Sequence, residues 1–169
     1  MKKSTNTPEP ATPDQVLEDG SVGALSLPAE PRKIFTALNE RSFLFHHSAS
    51  NPDLRITTRD NLLFALWTFN TTESSPVGVW EGEIQCFPFN AYMTAKGTDV
   101  VVVEKNGENN QIWIIRRSGS RFVTIESSVS RFLLAVDDSS TTDDTLVILR
   151  GGPHIPAEDF MIGINAVQP

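Results

Sequence analysis

Asp137, Asp138, Asp143 and Asp144 flank a Ser/Thr run, and carboxylates grouped in this way suggest calcium, a sugar hydroxyl or a basic partner. A calcium loop places its carboxylates at alternating positions and turns on a glycine. Here they come in pairs with no glycine between them, so the segment reads as a solvated hairpin loop. His46 and His47 suggest a metal, but adjacent residues on a strand point to opposite faces. The only other histidine, His154, is remote in sequence, so no metal and no other cofactor is expected. Cys86 is the single cysteine. It permits neither an intramolecular disulfide nor a zinc cluster of two or more thiolates, and between Gln85 and Phe87 it reads as a small buried hydrophobe. No serine stands in a nucleophile elbow. With no acid–base or nucleophile set in view, the chain is expected to bind rather than to catalyse.

Two further features invite contact with a partner. Trp80 lies in Val77-Gly78-Val79-Trp80-Glu81-Gly82, a glycine-flanked stretch that reads as a connector. There it either anchors a ligand or closes the bottom of the domain. Pro153-His154-Ile155-Pro156 reads as a stiff, extended loop, with His154 at its tip.

The elements that would position these residues emerge from an internal repeat, the first thing to seek in a chain of this kind. The bulky aromatics Trp67, Trp113 and Phe160 are spaced 46 and 47 residues apart. About eleven residues before each lies a strand-like run, at 54–57, 100–103 and 146–149. Before those stand Phe43-Leu44-Phe45, Tyr92-Met93-Thr94 and Phe132-Leu133-Leu134, and polar turns at 48–53, 96–99 and 137–144 separate the two sets. A further run opens each unit, at 34–37, 83–87 and 122–125. Short runs rich in β-branched and aromatic residues, broken by Gly, Asn, Asp and Ser, predict strands. Four strands in each of three units predict an all-β, twelve-stranded β-trefoil: a six-stranded barrel capped by three hairpins, an arrangement that removes sheet edges. A β-sandwich with a chance spacing is the alternative. The units span about residues 33–76, 77–119 and 120–165, within a domain at 32–169.

Residues 1–31 hold five of the eleven prolines and no aromatic residue, and such a segment cannot offset the entropy of ordering it. A disordered tail is expected. Within it Thr12-Pro13-Asp14-Gln15 has the form of a helix start, though so short a helix is marginal alone. The net charge of −7 and pI of about 4.9 argue against a nucleic acid, whose binding draws on Lys and Arg, and against a basic membrane-surface patch. The first residues lack the apolar segment of a secretory signal, and no stretch approaches the length of a membrane span. A cytoplasmic location is expected.

Lys105-Asn106-Gly107-Glu108-Asn109-Asn110-Gln111-Ile112-Trp113 resembles the Gln-x-Trp motif of ricin B-type lectin domains, fungal members above all. Arg121-Phe122-Val123-Thr124-Ile125, followed by Arg131-Phe132-Leu133-Leu134-Ala135-Val136, resembles another rhythm of the same proteins. The resemblance covers residues 33–164 loosely and one nine-residue stretch well. It implies a β-trefoil with one shallow sugar pocket per unit: an acidic residue ending the second strand, a ring on the third, and an Asn before Gln-x-Trp. A sugar has an apolar face and a polar rim, which is what those types match.

Carried onto this chain, the resemblance implies glycan contacts at Thr94, Asp99, Asn109 and Asn110 in the second unit and at Asp137 and Asp138 in the third. The departures are large. Thr94 stands where an acid is expected, and Val103 and Lys105 where a ring is. Asn61 and Leu62-Leu63 replace Asn-Gln in the first unit, with His46 and His47 in place of the acid. Ala157-Glu158-Asp159 precedes Phe160 in the third. The expectation is a carbohydrate-binding module with largely degenerate sites. The alternatives are a β-trefoil protease inhibitor, acting through the 153–156 loop or residues 70–82, and a scaffold that meets another protein.

Overall fold

A computed structural model describes Leu25 and residues 27–60, 62–71 and 78–163. The 12–15 segment, most of the tail, Asn61 and part of the 70–82 stretch lie outside the described residues. These residues form twelve strands and four short 3-10 turns. In the first unit the strands are β1 (Ile34–Thr36), β2 (Phe43–Phe45), β3 (Arg55–Thr57) and β4 (Leu66–Thr71). The second has β5 (Val79–Phe87), β6 (Ala91–Lys96), β7 (Asp99–Glu104) and β8 (Ile112–Arg117). The third has β9 (Val123–Ser127), β10 (Leu133–Val136), β11 (Val147–Arg150) and β12 (Phe160–Ile162).

The first and last strands of each unit make the barrel. Antiparallel pairing runs from β4 to β5, β8, β9, β12 and β1. The ring closes where Arg32 and Trp67 exchange backbone hydrogen bonds of 2.9 and 2.8 Å. The middle strands form three hairpins, β2–β3, β6–β7 and β10–β11. These meet at a shared centre, where Leu54 N–H donates to the Val100 carbonyl, Val147 N–H to the Leu54 carbonyl and Leu149 N–H to the Thr98 carbonyl. Among the described residues every strand therefore finds partners, and no long edge is left open.

The aromatics that mark the repeat are its core. Trp67, Trp113 and Phe160 are fully buried and belong to one cluster with Leu44, Met93 and Leu134 from the second strands. A buried indole N–H needs an acceptor. Trp67 Nε1 donates to the Leu44 carbonyl at 3.2 Å, and Trp113 Nε1 donates to the Met93 carbonyl at 2.9 Å. Phe160 has no side-chain N–H and needs no such partner.

The expectation of a connector around Trp80 is corrected by β5, which begins at Val79. Alternate residues Trp80, Gly82, Ile84 and Cys86 face inward along this nine-residue strand. Trp80 is 3% exposed, meets Phe69 edge-on at 5.7 Å and donates from Nε1 to the Thr71 hydroxyl at 3.0 Å. It closes part of the core and is not a surface contact. Gly82 is required beneath it. A Cβ there would collide with the Asn70 backbone oxygen and lie 2.8 Å from the Trp80 ring.

Candidate functional site

Just before the last strand each unit makes a 3-10 turn: Leu63–Ala65, Asn109–Gln111 and Pro156–Glu158. Two residues ahead of the core aromatic, these turns present Ala65, Gln111 and Glu158, all buried. Gln111 is fully satisfied inside. Its Nε2 donates to the Thr94 hydroxyl at 2.9 Å and to the Glu104 carbonyl at 3.0 Å, and its Oε1 accepts from Asn106 N–H at 2.9 Å. Glu158 does comparable work with a charge. One carboxylate oxygen pairs with Arg150 Nη1 at 2.9 Å and the other accepts from Ile155 N–H at 2.9 Å.

These bonds decide which residues remain for a ligand. Thr94 is 4% exposed, and its hydroxyl already donates to the Tyr92 carbonyl at 2.9 Å while accepting from Gln111. The structure thus places Thr94 in the framework, where Gln111 and Tyr92 engage its hydroxyl. Asp99 stands at the far end of the β6–β7 hairpin, paired with Lys96. Five residue steps, roughly 16 Å at a strand's rise, separate it from Glu104, whose carbonyl Gln111 holds. The second unit does not gather Asp99 with Asn109 and Asn110.

Asn110 Oδ1 accepts from Asn106 Nδ2 at 3.1 Å, and Asn106 Oδ1 accepts from Glu108 N–H at 2.9 Å. Gly107 takes the left-handed φ of 74° that this tight turn demands. The turn sets Asn109 on the wall of a cleft of about 500 Å³ with Glu81, Ile112, Ser128 and Val129. The Ser128 hydroxyl donates to the Asn109 carbonyl at 2.9 Å, joining the second unit to the third, and Val129 is 60% exposed. Apolar Ile112 and Val129 beside polar Asn109, Ser128 and Glu81 give the mixed lining that suits a ligand with one apolar face. Glu81, Ser128 and Val129 were not legible as site residues, because the cleft assembles only when two units meet.

In the third unit Asp137 and Asp138 occupy a turn on a separate hairpin, with Asp138 exposed at a φ of 50°. Their loop partners, Asp143 and Asp144, fasten the loop to the first unit. The Asp143 carboxylate accepts from Thr58 N–H at 2.6 Å and meets Arg59 at 3.3 Å. Those hydrogen bonds, with Thr58 first, hold its carboxyl below the usual range. Asp144 meets His47 at 3.0 Å. His46 and His47 part company just beyond the end of β2, the first buried and the second exposed. The 153–156 loop is pinned: Arg150 donates to the Pro153 carbonyl at 2.9 Å, and His154 Nε2 lies 3.1 Å from the Asp159 carboxylate. Cys86 is buried, and desolvation pushes its thiol up to about 12.

No family model matches the chain, and no curated protein matches it in sequence. Its fold has clear likenesses among solved structures. The designed threefold-symmetric protein ThreeFoil superposes with a TM-score of 0.69 at 14% identity, over 79% of this chain and 99% of that one. The Macrolepiota procera ricin B-like lectin, solved in complex with lactose, gives 0.66 at 17% identity, over 82% and 98%. An exo-β-1,3-galactanase from Clostridium thermocellum gives 0.69 at 13% identity over 80% of this chain, which spans 30% of the galactanase's length. At such identities the likeness is one of architecture, and together with the closed barrel and its three hairpins it identifies the fold: the chain is a β-trefoil.

Proposed function

We propose that the chain is a lectin-like carbohydrate-binding module and that its glycan contact is the Asn109 cleft. The observation that carries this is the cleft's lining, with an apolar patch of Ile112 and Val129 against polar Asn109, Ser128 and Glu81. A pyranose offers the complementary pair of surfaces. The likeness to a lectin solved with lactose adds fold-level support, and fold alone does not assign a ligand. With Thr94 committed inside and Asp99 remote, the module binds through fewer polar contacts than a complete pocket would supply, so affinity is weak and galactose-containing sugars are the first to test. A glycan array read at high protein concentration, with Asn109→Ala alongside, tests the proposal. Array signal that falls in the variant supports it, and silence for the unaltered protein defeats it.

A second proposal, protease inhibition, has one specific observation in its favour. The 153–156 loop is exposed at His154 and held from below by the buried Glu158 and Arg150, and a loop fixed before binding loses little entropy on insertion. No inhibition across a panel of serine and cysteine proteases would remove it.

A further inference from the structure

A second cavity lies between the first and second units, remote in kind from the Asn109 cleft. It measures about 460 Å³ and is walled by His46, Phe64 and Phe89, with Ala91, Val102 and Val103 among the rest of its lining. The walls are aromatic and ordered by contact. Phe64 and Phe89, from different units, stack at 4.6 Å and 23°, and His46 meets Phe64 edge-on at 4.8 Å. Into this apolar setting the chain places one polar ring. His46 is 3% exposed, and neither of its ring nitrogens has a hydrogen-bond partner. The Ser48 backbone favours a charged ring without reaching hydrogen-bond geometry.

An imidazole left unpaired in an apolar surround costs free energy that an apolar side chain would not. The corresponding positions of the other two units show the cheaper solution. His46 follows the second-strand residues Phe43, Leu44 and Phe45, and the equivalent residues, reckoned from Leu44, Met93 and Leu134, are Ala95 and Val136. The first unit alone keeps a donor and acceptor here, beside the one wall built of stacked rings.

We propose that this cavity is a binding site for a small, uncharged aromatic molecule that carries one hydroxyl or N–H group. The ring lies against Phe64 and Phe89, and the polar group meets His46. Glu104 at the lining and the net charge of −7 select against an anion. The volume suits a molecule of one or two fused rings and falls in the range of small-molecule pockets. The site is independent of any glycan binding at Asn109.

The probe is 2-naphthol, compared with naphthalene, titrated into the full chain and followed by ligand fluorescence and by the ring resonances of His46. Saturable 2-naphthol binding about fivefold tighter than naphthalene is expected, the worth of one net hydrogen bond. His46→Phe should erase that preference while both probes still bind, and Ala91→Leu, which narrows the cavity, should weaken both at least tenfold. The thermal midpoint of each variant shows whether it folds. Should His46→Phe not fold, the unaltered chain still decides, since His46 resonances unmoved by saturating 2-naphthol would overturn the proposal. So would a naphthol affinity that Ala91→Leu leaves unchanged. Loss of glycan binding in Asn109→Ala with naphthol binding intact would separate the two sites.

Discussion

The side-chain amide of Gln111 donates to the hydroxyl of Thr94 at 2.9 Å, 17 residues away, and both are buried. The Gln of the Gln-x-Trp stretch therefore works inward. It ties β6, the carbonyl of Glu104 and the 105–110 turn into one unit, and it engages the hydroxyl of Thr94. Gln111→Ala removes the acceptor of the Asn106 N–H and the donor to the Thr94 hydroxyl and the Glu104 carbonyl, and should cost about 3 kcal/mol. Thr94→Val should cost about 1 kcal/mol and leave glycan binding unchanged. Urea unfolding with an array readout checks both. A stable Thr94→Val that has lost sugar binding would restore Thr94 to the surface site.

Glu158 fills the matching place in the third unit with a carboxylate. Truncating it leaves Arg150 without its carboxylate partner and frees the Ile155 N–H. Glu158→Ala should destabilise by about 3 kcal/mol and raise amide exchange across residues 153–156. Unchanged exchange there would mean that the loop is held by Arg150 and His154 alone.

Most of the architecture was legible because its signals are local. Alternation, polar turns and the 46- and 47-residue spacing of Trp67, Trp113 and Phe160 are printed in the chain, and each predicted run lies on an observed strand. Of the two readings of Trp80, closure of the domain is the observed one, while the connector gives way to a strand: positions 80, 82, 84 and 86 share a face, and the glycines at 78 and 82 obscure the alternation. The clefts were not legible. Asn109 meets Val129, and His46 shares a cavity with Phe89, only through the packing of one unit on the next, and no local pattern reports that. The inward bond from Gln111 to Thr94 is likewise a tertiary fact.

Gly82 should tolerate no side chain. Gly82→Ala drives a Cβ into the Asn70 backbone and the Trp80 ring, and a backbone obstacle cannot swing aside. A loss of about 2 kcal/mol is expected, measured by thermal unfolding. A neutral substitution would mean that β4 and β5 part there without cost.

Stability should fall in mildly acid solution because of His46. Burial, foremost, holds its pKa below the ordinary 6.5, with His47 adding to that direction. Above pH 6.5 the ring is neutral in both states. As pH falls from 6.5 toward the folded value, the unfolded chain takes up a proton that the folded chain does not, so stability is lost. The depressed carboxyl of Asp143 acts in a separate window, below its ordinary 3.8. His46→Phe should therefore flatten the stability profile as pH falls below about 6.5 and leave the steeper acid limb in place. A profile unchanged by the substitution would assign the slope elsewhere.

Cys86, with its thiol pushed up to about 12, should resist thiol reagents at neutral pH until the chain unfolds. Labelling as fast as that of a free thiol would show that β5 opens readily at its centre.

The most direct test of carbohydrate binding is a lactose titration into isotopically labelled protein, followed by backbone amide shifts. Saturable changes confined to Asn109, Ile112, Ser128, Val129 and their neighbours, and absent in Asn109→Ala, are the predicted result. A spectrum that lactose and other galactosides leave unmoved, or one that moves only around Asp137 and Asp138, would contradict the assignment of the glycan site to the Asn109 cleft.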